Sequence, residues 1–347
     1  MQNMCEEMRI RMNIYTIFTG GTIGSKKDDN GVIRTGDMPY SLIDMYLNIY
    51  DTDGNDIEFT ANEPYRILSE NLASENILEL IKAINKAMQF SRTDGIIITH
   101  GTDTLQYTAS ILGYVFADTD IPIVLVSGNY VLDDKRTNGL YNFKYAVDFI
   151  KMVHGKGVFV SYKNTNDMAY IHRATRLQNV VLLSDDVSSV MNSWYGRFDN
   201  DKYYGNPDYK TVPEDNSKMF DRFNVKLLDK SDEILRVMPY VGMTYPVINE
   251  KIKVILHESY HSGTIRISKE LEEFASEAKK RNIPIFLTGL NSNEAEYETV
   301  KLYRSYGIIP LHESSVISQY CKLWLALSNG KDVLEVMRQS VGEDFIS

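Results

Sequence analysis

The 347-residue chain has only two cysteines, Cys5 and Cys321. Two thiols that far apart give neither a disulfide framework nor the close ligand spacing of a structural zinc site, so neither staple is expected. Positive charge is also short: 37 Lys and Arg stand against 47 Asp and Glu, a formal net charge of −10. That balance gives no large basic footprint for nucleic acid. No apolar run approaches the ~20 residues that cross a bilayer. Residues 1–11 are polar and mixed in charge, and the apolar run after them is too short and strand-like for a signal core. A cytoplasmic protein without a membrane or nucleic-acid partner is expected. Low-complexity segments and short-period repeats are absent as well.

What is present reads as an ordinary globular composition, 43% hydrophobic and 24% charged. The length suggests two domains. Short apolar runs at 14–18, 57–60, 65–68, 95–98, 121–126 and 158–162 predict strands. Helical spacing of apolar residues predicts helices over 39–50, 74–89, with Ser74 as a capping signal, 104–116 and 139–153. Strand and helix alternate, the pattern of a parallel sheet with helices on both faces. Residues 194–221, rich in Tyr, Asp, Asn, Gly and Pro, read as a linker. After it a smaller α/β pattern resumes, with strands at 254–256 and 284–287 and helices at 269–280, 294–305, 313–328 and 331–339. The expected fold class is α/β, with a larger N-terminal parallel-sheet domain (1–208) and a smaller C-terminal α/β domain (209–347). Residues 25–37, rich in Lys, Asp, Asn and Gly, read as a mobile loop and a candidate lid.

Two of the apolar runs end alike. Ile14-Tyr15-Thr16-Ile17-Phe18 feeds Thr19-Gly20-Gly21-Thr22-Ile23, and Gly95-Ile96-Ile97-Ile98 feeds Thr99-His100-Gly101-Thr102-Asp103-Thr104. In a parallel α/β sheet such turns lie at the carboxyl ends of strands, where ligands collect. Amide hydrolysis by a threonine needs a presented hydroxyl, a route for its proton and donors for the oxyanion. Gly20-Gly21 leaves backbone room for a substrate to approach Thr22. A threonine or aspartate in such a turn equally serves as a cap, and spacing alone does not separate the two roles.

These two motifs, in this order and about eighty residues apart, resemble the signatures of the bacterial-type L-asparaginase family. The resemblance implies that Thr22 is the first nucleophile and Thr102 the second catalytic threonine. Asp103 matches the aspartate that binds the substrate ammonium and orients a lysine. Ser69-Glu70-Asn71-Leu72 resembles the segment that holds the substrate's α-carboxylate and α-ammonium, so Gly21, Ser69, Glu70, Gly101, Thr102 and Asp103 are the implied substrate-binding set. The Ser-Glu-Asn form looks like the D subunit of archaeal tRNA-dependent amidotransferases. His100 is read as orienting its turn.

The chain departs from the family pattern in three places. Val32 stands where the family carries a loop tyrosine, with Tyr40 nearby in sequence. In His172-Arg173-Ala174-Thr175-Arg176, Arg176 falls on the family's catalytic lysine, and an arginine keeps the charge but is a poor proton acceptor. The wall segment after Gly128 reads Asn129-Tyr130-Val131-Leu132. The implied activity is hydrolysis of the asparagine side-chain amide, with an amino-acid-binding pseudoenzyme or an amidase of different substrate as alternatives. A homodimer or homotetramer follows from the resemblance, with the loop 259–264 around Tyr260 facing a neighbouring site and 288–292 forming the next loop. No metal or organic cofactor is expected, since no ligand-spaced His/Cys cluster exists.

Overall fold

The computed structural model describes residues 11–27, 33–35, 39–52, 56–90, 92–165, 168–213, 218–289 and 298–346. In chain order its strands are β1 (Met12–Phe18), β2 (Ser25–Lys27), β3 (Ile33–Thr35), β4 (Ile57–Asn62), β5 (Gly95–Thr99), β6 (Pro122–Val126), β7 (Gly157–Lys163), β8 (Ala169–Arg173), β9 (Gly196–Asp199), β10 (Lys202–Gly205), β11 (Ile234–Val237), β12 (Val254–His257), β13 (Ile285–Leu287) and β14 (Ile308–Pro310). The helices are α1 (Pro39–Tyr50), α2 (Ser74–Met88), α3 (Leu105–Val115), α4 (Gly139–Val153), α5 (Lys269–Lys280), α6 (Glu298–Ser305), α7 (Val316–Ser328) and α8 (Val333–Val336). The fold is α/β.

The chain divides into two compact units. The first comprises the described residues of Met1–Leu105, Thr119–Ile171 and Gly196–Tyr204. The second comprises those of Gln106–Asp118, His172–Tyr195 and Gly205–Ser347.

The first unit is built on an eight-stranded sheet of order β10-β9-β8-β7-β6-β5-β1-β4. Pairings among β4, β1, β5, β6 and β7 are parallel, and β9 runs antiparallel to β8. Central strands covered on both faces read as unbroken apolar runs. Ile96, Ile97 and Ile98 of β5 and Ile123, Val124 and Leu125 of β6 are accordingly fully buried. Helix α2 buries Ile77, Leu80, Ile81 and Ile84 on one stripe. Its cap is Ala73, one residue before the expected Ser74, because Asn76 Oδ1 reaches back to accept the Ala73 N–H at 3.0 Å.

Three local expectations change. Residues 65–68 form no strand beyond a single bridge from Ile67 to Gly20, and Ser69–Asn71 is a 3-10 turn. Part of the expected loop 25–37 pairs as an antiparallel hairpin, β2 with β3. The expected linker contains β9 and β10, which extend the large sheet. Its Asn and Asp residues form the tight turn of that hairpin, while Phe198 and Tyr203 pack on Tyr145 and Phe149.

The second unit holds a four-stranded parallel sheet in the order β11-β12-β13-β14. Its core gathers Ile255 and Leu287 from the sheet, Leu271 and Phe274 from α5, and Val300 and Tyr303 from α6. Helix α5 is bounded as its sequence dictates. Ser268 accepts the Leu271 N–H, Glu270 and Glu272 sit in the first turn, and Lys279 and Lys280 in the last, matching the helix dipole.

Candidate active site

Strand order locates the functional end of the first unit. From β1 the chain moves outward to β4, then returns to β5 on the other side of β1 and continues through β6 and β7. The crevice at the carboxyl ends of β1 and β5 is therefore the topological switch point, where open α/β sheets bind ligands. Both threonine-rich turns leave the sheet there.

The two turns are stitched together by backbone and threonine side chains. Thr19 donates its Oγ1 hydrogen to Thr99 O at 2.6 Å, and the Thr19 N–H donates to Thr99 Oγ1 at 3.4 Å. Gly21 takes φ 77° and ψ 178°, a conformation essentially reserved for glycine. A Cβ there would lie 2.5 Å from Gly101 N and 2.6 Å from Gly101 Cα, so the motif backbones touch. A Cβ on Gly101 would overlap Ser69 Oγ. Residues 67–71 complete the group. Gly21 N donates to Ile67 O at 2.9 Å, Ile67 N to Thr19 O at 3.1 Å, and Thr104 Oγ1 to Ser69 O at 2.9 Å.

Within this frame Thr22 opens a 3-10 turn and is partly exposed, as is Thr102, while Asp103 and Glu70 are exposed and Ser69 is buried. Ser69 Oγ donates to Asp103 Oδ2 at 3.4 Å. Ser25 Oγ donates to Gly21 O at 2.7 Å and fixes the far side of the first turn. Buried His100 meets the Gly101 carbonyl through Nδ1 at 2.8 Å, and its backbone N–H donates to Val126 O at 2.9 Å. Burial lowers its pKa, which keeps the ring neutral. Half-buried Tyr65 has its phenol pushed well above the ordinary range, chiefly by desolvation.

The wall segment after β6 belongs to the same end of the sheet. Asn129 and Asn138 exchange backbone N–H to side-chain oxygen bonds at 2.9 and 3.0 Å, and Val131 and Leu132 are buried. Ile23, next to Thr22, lies against Gly128 and Gly139. Sequence reasoning did not single out Thr19, Thr99 or Ser25 as the stitches. The signal was in the motif, since a threonine at the end of each of two neighbouring parallel strands is placed to bond across them.

The structure thus brings together Gly21, Thr22, Ser69, Glu70, Gly101, Thr102 and Asp103 in the first unit. Arg176 lies in the second unit, fully buried, in a 3-10 turn after β8. Its Nε donates to Glu343 O at 2.7 Å and its Nη2 to Lys210 O at 2.8 Å and Phe345 O at 3.0 Å. The guanidinium sits 4.2 Å above the Tyr209 ring. Desolvation pulls its pKa down, opposed by Tyr209 and Glu343. Val32 and the side chain of Tyr40 lie outside the described residues. The loop at 259–264 is a closed turn, with Tyr260 N donating to Thr264 O at 2.8 Å. Thr288 is buried after β13, and residues 290–292 lie outside the described residues. Among the described residues no group of three or more His, Cys, Asp or Glu side chains could hold a metal ion. No helix there is long and apolar enough to cross a membrane.

Parallel strands with paired threonine turns at the switch point define an open-sheet α/β protein whose candidate site lies at the carboxyl ends of β1 and β5. The family model described as "Asparaginase, N-terminal" matches residues 13–193, so the chain belongs to the asparaginase family. It is 27% identical over 361 aligned positions to a probable periplasmic L-asparaginase of Haemophilus influenzae, covering 96% of this chain and 93% of that one. It is 24% identical over 348 positions to the D subunit of the glutamyl-tRNA(Gln) amidotransferase of Methanosphaera stadtmanae, covering 95% and 76%. The thermostable L-asparaginase of Thermococcus kodakarensis superposes with a TM-score of 0.74 at 21% identity, over 97% of this chain and 100% of that one.

Proposed function

We propose that the chain is an L-asparaginase-type amidohydrolase that converts L-asparagine to L-aspartate and ammonia with Thr22 as nucleophile. The observation that carries this reading is the backbone apposition of Gly21 and Gly101, which supports a shared crevice for the hydroxyls of Thr22 and Thr102 beside Asp103. In the reaction Thr22 Oγ bonds to the amide carbonyl carbon while its proton travels to the leaving nitrogen. The carbon–nitrogen bond breaks, ammonia departs, and an acyl-threonine ester remains. Water then adds to the ester carbon, releasing aspartate and returning the proton to Thr22. Ser69 donates to the substrate carboxylate, and Asp103 with Glu70 favours its ammonium. Thr102 positions the water.

The test is ammonia release from L-asparagine by the wild type, Thr22→Ala and Thr102→Ala. Loss of at least about a hundredfold in each variant is expected, and full release by Thr22→Ala removes the assignment. L-glutamine in the same assay addresses the different-substrate reading, which Glu70 and the likeness to an amidotransferase component favour. An amino-acid-binding protein without turnover is the other reading. It is favoured by the commitment of the Arg176 guanidinium to three backbone carbonyls. Calorimetry showing aspartate binding without any hydrolysis would select it.

A homodimer or homotetramer and a cytoplasmic location belong to the same proposal. Exposed Tyr240, Val241 and Val247 in the second unit support self-association. Light scattering at working concentration and cell fractionation test the two points.

A further inference from the structure

A groove of about 470 Å³ opens in the first unit where α1, α4, the start of β8 and the β9–β10 hairpin meet, within the size range of small-molecule pockets. Lys144 on α4 forms its base. It donates to Asp148 at 2.7 Å and Asp201 at 2.6 Å, and its ammonium lies 4.4 Å from the centre of the Tyr145 ring, so its charge is consumed within the protein. Asp201 reaches it because Asn200 and Asp201 both adopt left-handed φ values, 47° and 64°, the backbone of a two-residue hairpin turn. Phe198 stacks on Tyr145 at 4.8 Å and is buried beneath the groove, whose accessible apolar surface comes from Met168 and the rings of Tyr50, Tyr141 and Tyr145.

Two charges of opposite sign are left over. The backbone of Lys163 is pinned to α4: its N–H donates to Asn142 Oδ1 at 2.7 Å and its carbonyl accepts from Asn138 Nδ2 at 2.8 Å. Its ammonium rests 4.3 Å over the Tyr141 ring and has no carboxylate partner among the described residues. Asp199 accepts the side-chain amide of Asn200 at 2.9 Å and has no cationic partner among them.

We propose that this groove binds a zwitterion with an apolar body: an α-amino acid with an aromatic or aliphatic side chain. The carboxylate lies on Lys163, the ammonium on Asp199, and the body against Met168 and the tyrosine rings. Charge selects this class. Lys144 and Lys163 against Asp148, Asp199 and Asp201 leave the groove with one net negative charge, which repels a dianion. A simple cation leaves Lys163 unpaired, whereas a zwitterion satisfies both loose ends at once. A polar amide side chain would gain little from these rings. None of this rests on the amidase reading.

The experiment is calorimetric titration of the full chain with L-phenylalanine, 3-phenylpropionate, 2-phenylethylamine and L-asparagine, repeated with Lys163→Met and Asp199→Asn. Saturable binding of L-phenylalanine is expected, at least about tenfold weaker for each analogue missing one charge and for each variant, the loss that accompanies one charge-assisted hydrogen bond. Both variants should keep the wild-type melting temperature and ammonia release. No saturation by about 10 mM overturns the proposal. So does equal binding of either half-charged analogue, equal binding by the variants, or a Lys163-dependent preference for L-asparagine.

Discussion

Replacing Arg176 separates a structural role from a chemical one. Its three hydrogen bonds come from a charged donor to carbonyls at chain positions 210, 343 and 345, all within 3.0 Å. Such bonds contribute about 1.5–3 kcal/mol each, and stacking over a partly desolvated ring adds about 1–2 kcal/mol. Their sum overstates the net effect, because burying a guanidinium is itself unfavourable and Nη1 has no partner among the described residues. Arg176→Ala also takes the donor from three carbonyls, that of Phe345 in a buried bond, so a net loss of about 3–5 kcal/mol is expected. At about 2 °C per kcal/mol the melting temperature falls by roughly 6–10 °C. Arg176→Lys keeps the charge, but a tetrahedral ammonium cannot reproduce a planar fork that meets carbonyls from two distant segments, and about 2 kcal/mol should be lost. Thermal melts and carboxypeptidase trimming of the C-terminal residues read this directly, with faster trimming in both variants. An Arg176→Lys protein as stable as the wild type refutes the anchoring argument. One that also releases more ammonia shows that Arg176 limits chemistry.

Other perturbations follow from the same contacts. Gly21→Ala forces a Cβ onto the Gly101 backbone at a glycine-only φ/ψ. It should remove ammonia release and cost about 3 kcal/mol, measured by turnover and urea unfolding. Asp344→Asn leaves the ammonium of Lys322, 1% exposed like its partner, without a counter-charge 2.7 Å away. A loss of about 3–5 kcal/mol is expected by denaturant titration. His172 is buried and its pKa is lowered to about 3 by desolvation. Between that value and the unfolded value near 6.5 the unfolded chain binds the extra proton, so stability is full above the window and declines as pH falls through it. From pH 6 to 4.5 this one group removes about 2 kcal/mol, and His172→Asn should flatten unfolding free energy over that range by the same amount.

Much of the parallel core was legible because its periodicity is unambiguous. The limits of α1, α4 and α5 match the apolar spacing to the residue, since each shows an amphipathic stripe bounded by turn chemistry. The β9–β10 hairpin was hidden. Its Asp199-Asn200-Asp201 turn and scattered tyrosines read as a linker, and only the packing of Phe198 and Tyr203 on α4 makes them strands. The chain passes between units inside that stretch, at 195/196 and 204/205, but also at 105/106, 118/119 and 171/172, where no change in composition marks the crossing. The threonine turns were found from their motifs. That they share one pocket was expected from the family resemblance; their direct backbone contact was not legible, because it depends on which strands are neighbours, and sequence order does not state that β5 inserts beside β1.

That insertion is the step on which the site depends. Had β5 been added beyond β4, the turn at Thr102 would lie two strands from the turn at Thr22, Thr19 would lose its bonds to Thr99, and Gly21 its contact with Gly101. Placing β5 against β1 instead aligns Phe18 with Thr99 in register and brings the following turns so close that a Cβ on Gly21 would strike the Gly101 backbone, while one on Gly101 would strike the Ser69 side chain. The double glycine and the closing threonines are thus required by one packing decision. A chain that kept the hydroxyls of Thr22 and Thr102 but carried a side chain at position 21 would fold its strands and still hold the two turns apart.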